Sequence, residues 1–130
     1  MITKKQLKEH ISKLEEAAEL KERMLTLEEE ISSIKSSSHF TVRGTGSKDA
    51  IVDLIIRIES SKDRYYKKLL EIEQETEEIE KAIESLSSIK RRILRKRYLE
   101  GMTFESICHQ MHYSWRHIHR LHGEALKELK

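Results

Sequence analysis

Between positions 51 and 93 the chain returns to one helical stripe at alternating steps of four and three, at residues 51, 55, 58, 62, 65, 69, 72, 76, 79, 83, 86, 90 and 93. One half of the repeat is Ile51, Ile58, Tyr65, Ile72, Ile79, Leu86 and Ile93, the other Ile55, Lys62, Leu69, Thr76, Ile83 and Lys90, so ten of the thirteen sites are apolar. A heptad pattern held this long confines a helix to a single narrow seam. Glu71, Glu73, Glu77, Glu78 and Glu80 occupy the other faces. Such a helix cannot bury its seam alone, and the pattern therefore predicts pairing with another helix of the chain or with a second copy. Lys62, Thr76 and Lys90 on the seam either restrict register and oligomeric state or simply face solvent.

A partner lies upstream. Over residues 3–35 the apolar side chains Leu7, Ile11, Leu14, Ala18, Leu20, Met24, Leu27, Ile31 and Ile34 recur at helical spacing, with a drift of about one residue near Ala18. Between the two helices, residues 36–47 are rich in Ser, Thr and Gly, so a loop is expected there, with Ser47 capping the second helix. Proline is absent, only four glycines interrupt the chain, and 37% of residues are charged. That composition favours long solvated helices. The predicted fold class is all-α: a long helical hairpin or coiled coil over residues 1–88, then a three-helix helix-turn-helix module over residues 89–130. The long helix is expected to run unbroken to about residue 99.

Charge changes along the same division. Residues 1–47 hold eight basic and eight acidic groups, residues 48–88 seven and eleven, and residues 89–130 ten and four, for net charges of 0, −4 and +6. A neutral or acidic body with a basic end is what docking that end on a polyanion requires.

Within the basic end, Gly101 is placed to stop a helix and Thr103 to cap the next, which carries Phe104, Ile107, Cys108 and Met111 on one face. His112 and Tyr113 make a short turn, and Ser114 caps a last helix whose inward residues are Ile118, Leu121, Ala125 and Leu129. The segment before them adds Ile93, Leu94, Tyr98 and Leu99 to the same core. Two helices joined by a short turn present the second to the major groove of DNA. Candidate base-reading residues are Ser114, Trp115, Arg116, His119 and Arg120; candidate phosphate-binding residues are Arg91, Arg92, Arg95, Lys96, Arg97, Thr103 and Lys127.

The run RYLEGMTFESICHQMHYSWRHIHRLHGEAL, residues 97–126, resembles the carboxy-terminal, region-four helix-turn-helix of sigma factors. That family has a pattern of Arg-Tyr, Gly, a capping Ser/Thr, Ile-Ala, Leu, Ser, Val and a final Ala-Leu; Cys108 stands where Ala is usual. The run also resembles small phage and prophage proteins of Gram-positive bacteria related to ArpU/RinA-type late transcription regulators, in which a helical coil precedes Met-x-Tyr-Ser-x-Arg, here Met111 to Arg116. The resemblance covers about 40 residues closely. It implies a sequence-specific transcription regulator acting at promoters in the cytoplasm of a bacterial host, with double-stranded DNA as partner and RNA polymerase as a candidate second one. A homo-oligomer through the heptad helix is expected. Nothing upstream resembles the promoter-melting part of a sigma factor.

Other classes fare worse. No apolar run is long enough to span a bilayer, and a single cysteine, Cys108, cannot form an intrachain disulfide. Five of seven histidines, His109, His112, His117, His119 and His122, crowd beside Cys108, which raises the question of zinc; but the cysteine falls on the expected core face and His117 and His119 on different sides of a helix, so neither metal nor cofactor is expected. No familiar constellation of acid, base and nucleophile appears, so no enzyme is expected. The alternatives that keep the same architecture are the small subunit of a DNA-packaging terminase and a coiled-coil adaptor without DNA binding.

Overall fold

The computed structural model describes residues 2–36 and 45–129. Its elements are α1 (Lys4–Ser36), α2 (Thr45–Ile83), α3 (Ser88–Leu94) running directly into a π-helical turn (Arg95–Leu99), α4 (Phe104–Met111) and α5 (Trp115–Glu128), with no strand among the described residues. The all-α architecture and the carboxy-terminal helix-turn-helix are as the sequence predicts. Among the described residues, no helix is long and apolar enough to cross a membrane.

Three expectations need correction. The long helix does not continue to residue 99: α2 stops at Ile83, Leu86 N–H bonds back to the Ile83 carbonyl at 3.0 Å, and Ser87 is extended at ψ 155°. Ser85, Ser87 and Ser88 crowd this point, and serine competes with helical backbone bonding, so the break is local chemistry that the continuing heptad concealed. At its other end α2 begins at Thr45, two residues before the expected Ser47 cap. Of the expected loop, Ser36 belongs to α1, and residues 37–44 lie outside the described residues.

The third correction concerns the seams. On α1 the buried positions are Leu7, His10, Ala17, Met24 and Leu27, while Ala18 is exposed. Once His10 and Ala17 are placed on the seam, the spacing is regular and the drift near Ala18 vanishes. On α2 the buried positions are Leu54, Ile58, Ser61, Ile72, Ile79 and Ile83, with Ile55 and Leu69 left exposed. Polar side chains at seam positions displaced the apparent stripe by one residue.

The chain divides into two compact units. The first comprises residues 1–15 and 71–130. In it the start of α1 runs antiparallel to the end of α2, tied by His10 Nδ1 to Glu75 Oε2 at 2.9 Å and by the Lys13–Glu75 ion pair. Leu7, Ile79, Ile83, Leu86, Leu94, Tyr98 and Ala125 form one core, with Ile2, Ile11, Leu99, Leu126 and Leu129 packed against it. This core crosses residue 88, where the charge changes sign. A second core, Ile93, Ile107, Met111, Ile118 and Leu121, binds α3, α4 and α5 together. Arg95 adds a two-pronged bond to Glu80 at 3.1 and 2.8 Å, and its guanidinium holds the Glu80 carboxyl below the usual carboxylate range.

The second unit, residues 16–70, is the antiparallel pairing of the rest of α1 with the start of α2. Leu27, Leu54 and Ile58 are its buried centre, flanked by Ile31 and Ile34. Lys62 reaches Glu28 at 3.4 Å and Lys68 reaches Glu16 at 3.1 Å.

Candidate nucleic-acid interface

The site is the outer side of α5, and two caps set its position. Thr103 is extended and its hydroxyl accepts from Ser106 N–H at 3.2 Å, starting α4; Ser114 is extended and its hydroxyl accepts from His117 N–H at 3.2 Å, starting α5. Each satisfies an amide that the first helical turn cannot. Gly101, at φ 69°, closes the preceding π turn, where Met102 N–H bonds to the Lys96 carbonyl and Glu100 N–H to the Arg95 carbonyl, both at 3.0 Å. His112 takes the corresponding left-handed position after α4, at φ 58°, where its carbonyl neighbour Tyr113 sends its N–H back to Cys108 at 3.2 Å. The connection between α4 and α5 is thereby reduced to three residues, His112, Tyr113 and Ser114.

Ile118, Leu121, His122 and Ala125 are the buried side of α5. Opposite them Arg116, Arg120 and Lys127 are exposed. Arg116 and Lys127 make no ion pair among the described residues, and Arg120 Nη2 donates to His117 Nδ1 at 3.0 Å. Because the imidazole accepts through Nδ1, His117 orients Arg120 while neutral. The two acids of this helix, Glu124 and Glu128, are drawn aside by Lys90 of α3, at 3.5 and 2.5 Å. Arg116, Arg120 and Lys127 thus face outward as cations, with the exposed acids Glu124 and Glu128 paired to Lys90, an arrangement suited to approach to phosphates and guanine edges.

Trp115 and His119 lie on the flank of α5 towards α4. Trp115 is 55% exposed, but its ring packs at a tilt on His119 with centroids 4.2 Å apart, and His119 packs in turn, also tilted, on Phe104 at 4.4 Å. Arg97 covers the next part of Phe104, its guanidinium carbon 4.5 Å from the ring centroid, and donates from Nη1 to the Met102 carbonyl at 2.9 Å. The order Trp115, His119, Phe104, Arg97 is a continuous stack joining the two helices of the motif to the π turn. Beneath it His122 Nε2 and the Tyr98 hydroxyl are hydrogen-bonded at 2.7 Å. Burial, with smaller contributions from His119, Lys4 and Arg97, lowers the His122 pKa to about 4, and burial raises that of Tyr98.

The base-reading candidates therefore divide. Arg116 and Arg120 stand outward; Ser114 spends its hydroxyl on the cap; Trp115 is exposed but leans on His119; His119 is half-buried between two rings. The phosphate candidates divide too. Arg91, Arg92 and Lys127 make no ion pair among the described residues, whereas Arg95 is held by Glu80, Lys96 donates to Gln110, Arg97 caps Phe104 and Thr103 caps α4. Sequence reasoning passed over His117 as a positioning group; its spacing three residues before Arg120 on one helix was the available signal.

The five histidines of the carboxy-terminal end do not form a common site. His119 and His122 belong to the aromatic stack, His117 to Arg120, and His109 and His112 are exposed. Among the described residues, no three His, Cys, Asp or Glu side chains are grouped so as to hold a metal ion.

Comparison with curated proteins and with solved structures finds no match. A family model does match, the one described as Sigma-70, region 4, over residues 82–130, which begins at the end of α2 and takes in every cap and stack just described. Residues 82–130 are thus a helix-turn-helix domain of the DNA-binding kind, similar to Sigma-70, region 4.

Proposed function

We propose that this chain is a sequence-specific double-stranded-DNA-binding transcription regulator of phage or prophage type, acting at promoters in a bacterial cytoplasm, with RNA polymerase as a second partner. The observation that carries the reading is the outward face of α5, where Arg116, Arg120 and Lys127 are exposed and the helix's own acids are drawn aside by Lys90. The similarity of residues 82–130 to Sigma-70, region 4 supports promoter DNA as the ligand. Exposed Arg92 and half-buried Arg91, on α3, supply phosphate contacts that fix register without reading sequence. On this reading the chain is a binding protein and not a catalyst. A homo-oligomer formed through α2 completes it.

The test is selection of bound fragments from random duplex DNA, followed by footprinting and a promoter-reporter assay. Enrichment of one motif that also changes reporter output is expected. Binding without sequence preference, together with a silent reporter, would overturn the regulator reading; a closed ring with those properties would favour DNA packaging.

A further inference from the structure

The pairing of α1 with α2 leaves a second apolar stripe uncovered on α2. Val52, Ile55, Ile56, Tyr66, Leu69 and Leu70 are 55, 43, 61, 61, 37 and 62% exposed. Together they present on the order of 500 Å² of apolar surface, towards the upper end of what a monomer leaves open to water. The central line of this stripe runs Val52, Ile55, Glu59, Lys62, Tyr66, Leu69, at steps of three and four. It is palindromic. Reversed about the point between residues 60 and 61, Val52 faces Leu69, Ile55 faces Tyr66, and Glu59 faces Lys62.

We propose that this stripe is the docking surface for a second copy of the chain, laid antiparallel with its two-fold axis between residues 60 and 61. The proposal rests on the homo-oligomer part of the reading above and is independent of DNA binding. Charge decides the direction. A parallel pair would set Glu59 against Glu59 and Lys62 against Lys62, whereas the antiparallel pair sets each Glu59 against the partner's Lys62 twice over. Glu59 makes no ion pair among the described residues, and Lys62, 3.4 Å from Glu28, keeps donors to spare. Asp63, beside the axis, is already neutralised by Lys67 at 3.1 Å. Shape agrees with charge. A groove of about 370 Å³ between the two helices is lined by Glu28, Ile31, Ile55, Ile58, Glu59 and Lys62, and lies where the partner's Tyr66 would enter over Ile55. A pair buries roughly 1,000 Å² of this surface in all, the lower end for a specific interface, so the dimer is expected to dissociate on dilution.

The test is sedimentation of the full chain over a range of concentrations, with helicity followed by circular dichroism. The wild type should approach twice the 15.4 kDa chain mass as concentration rises. Ile55→Glu should abolish dimers without loss of helix, since that side chain already faces water. Glu59→Lys or Lys62→Glu alone should weaken the dimer roughly tenfold, and the double exchange should restore it. In a Cys108→Ala background, Ile55→Cys should cross-link to Tyr66→Cys between copies and neither should cross-link efficiently to itself. A wild type that stays monomeric at about 100 μM, a larger ring, a dimer indifferent to Ile55→Glu, or self-linked Ile55→Cys would each overturn the proposal. A dimer that behaves as described but binds no DNA would uphold it while sinking the regulator reading.

Discussion

The Tyr98 hydroxyl and His122 Nε2, 2.7 Å apart beneath the aromatic stack, form a polar pair inside an otherwise apolar junction of the π turn with α5. His122 is only 8% exposed and its pKa lies near 4, so the imidazole stays neutral in the folded protein at any pH where the unfolded chain would begin to protonate it. A histidine depressed in this way binds its proton more readily when unfolded. Stability is therefore intact above about pH 6.5 and is lost as pH falls from there towards 4, by on the order of 3 kcal/mol. Denaturant titrations between pH 7.5 and 4 should show this decline, and His122→Phe should remove most of it. An undiminished slope in that variant would refute the assignment.

Glu75 sits between His10 and Lys13 in the first unit. Burial pushes its carboxyl up, but hydrogen bonds from Lys13 and His10 more than offset this and hold it below the ordinary carboxylate range. Its contribution is present above pH 4.5 and lost as pH falls through the lowered value. His10 is 1% exposed and Glu75 is the partner of its Nδ1, so Glu75→Ala should cost about 1–3 kcal/mol at neutral pH. Chemical denaturation of the two proteins at pH 7 measures the difference.

His112 is held at φ 58° and is exposed, so its ring contributes little that would compensate a left-handed backbone. His112→Gly should stabilise the protein by up to about 1 kcal/mol, and His112→Val should destabilise it by more than that. Thermal melts would check both signs.

Arginines in the basic end should separate by role. Arg116→Ala and Arg120→Ala should relax sequence preference, at a cost of about 1–3 kcal/mol if a guanine is read bidentately. Arg92→Ala should weaken all duplexes alike and flatten the dependence of affinity on salt by about one ion. Arg97→Ala should act differently again, because its guanidinium is committed to Phe104 and the Met102 carbonyl: stability falls, while the salt slope measured on the folded fraction holds. Fluorescence anisotropy on cognate and random DNA at several salt concentrations distinguishes the three patterns.

The helix-turn-helix was legible because its features are written in residues with one local job: Gly101 for positive φ, Thr103 and Ser114 for capping, and Ile107, Met111 and Ile118 for the core. The hairpin seams were harder to place. His10, Ser61 and Glu75 occupy or border buried positions, and a pattern read from apolar residues alone skips them and slides to Ile55 and Leu69. Within the site, outward Arg116 and Arg120 followed from helical periodicity. Arg95 and Arg97 were indistinguishable from phosphate ligands because their partners, Glu80 and Phe104, approach through the fold and not through neighbouring sequence.

The Leu7, Ile79, Ile83, Leu94, Tyr98 and Ala125 cluster has a consequence for how such a protein can be taken apart. Leu7, Ile79 and Ile83 of the upstream helices share that core with Leu94, Tyr98 and Ala125, so a fragment cut near residue 88 would carry a raw hydrophobic wound where Leu94 and Ala125 should be covered. The helix-turn-helix end is accordingly no detachable bead on a string: grafting it onto another protein would have to bring residues 1–15 and 71–88 along with it.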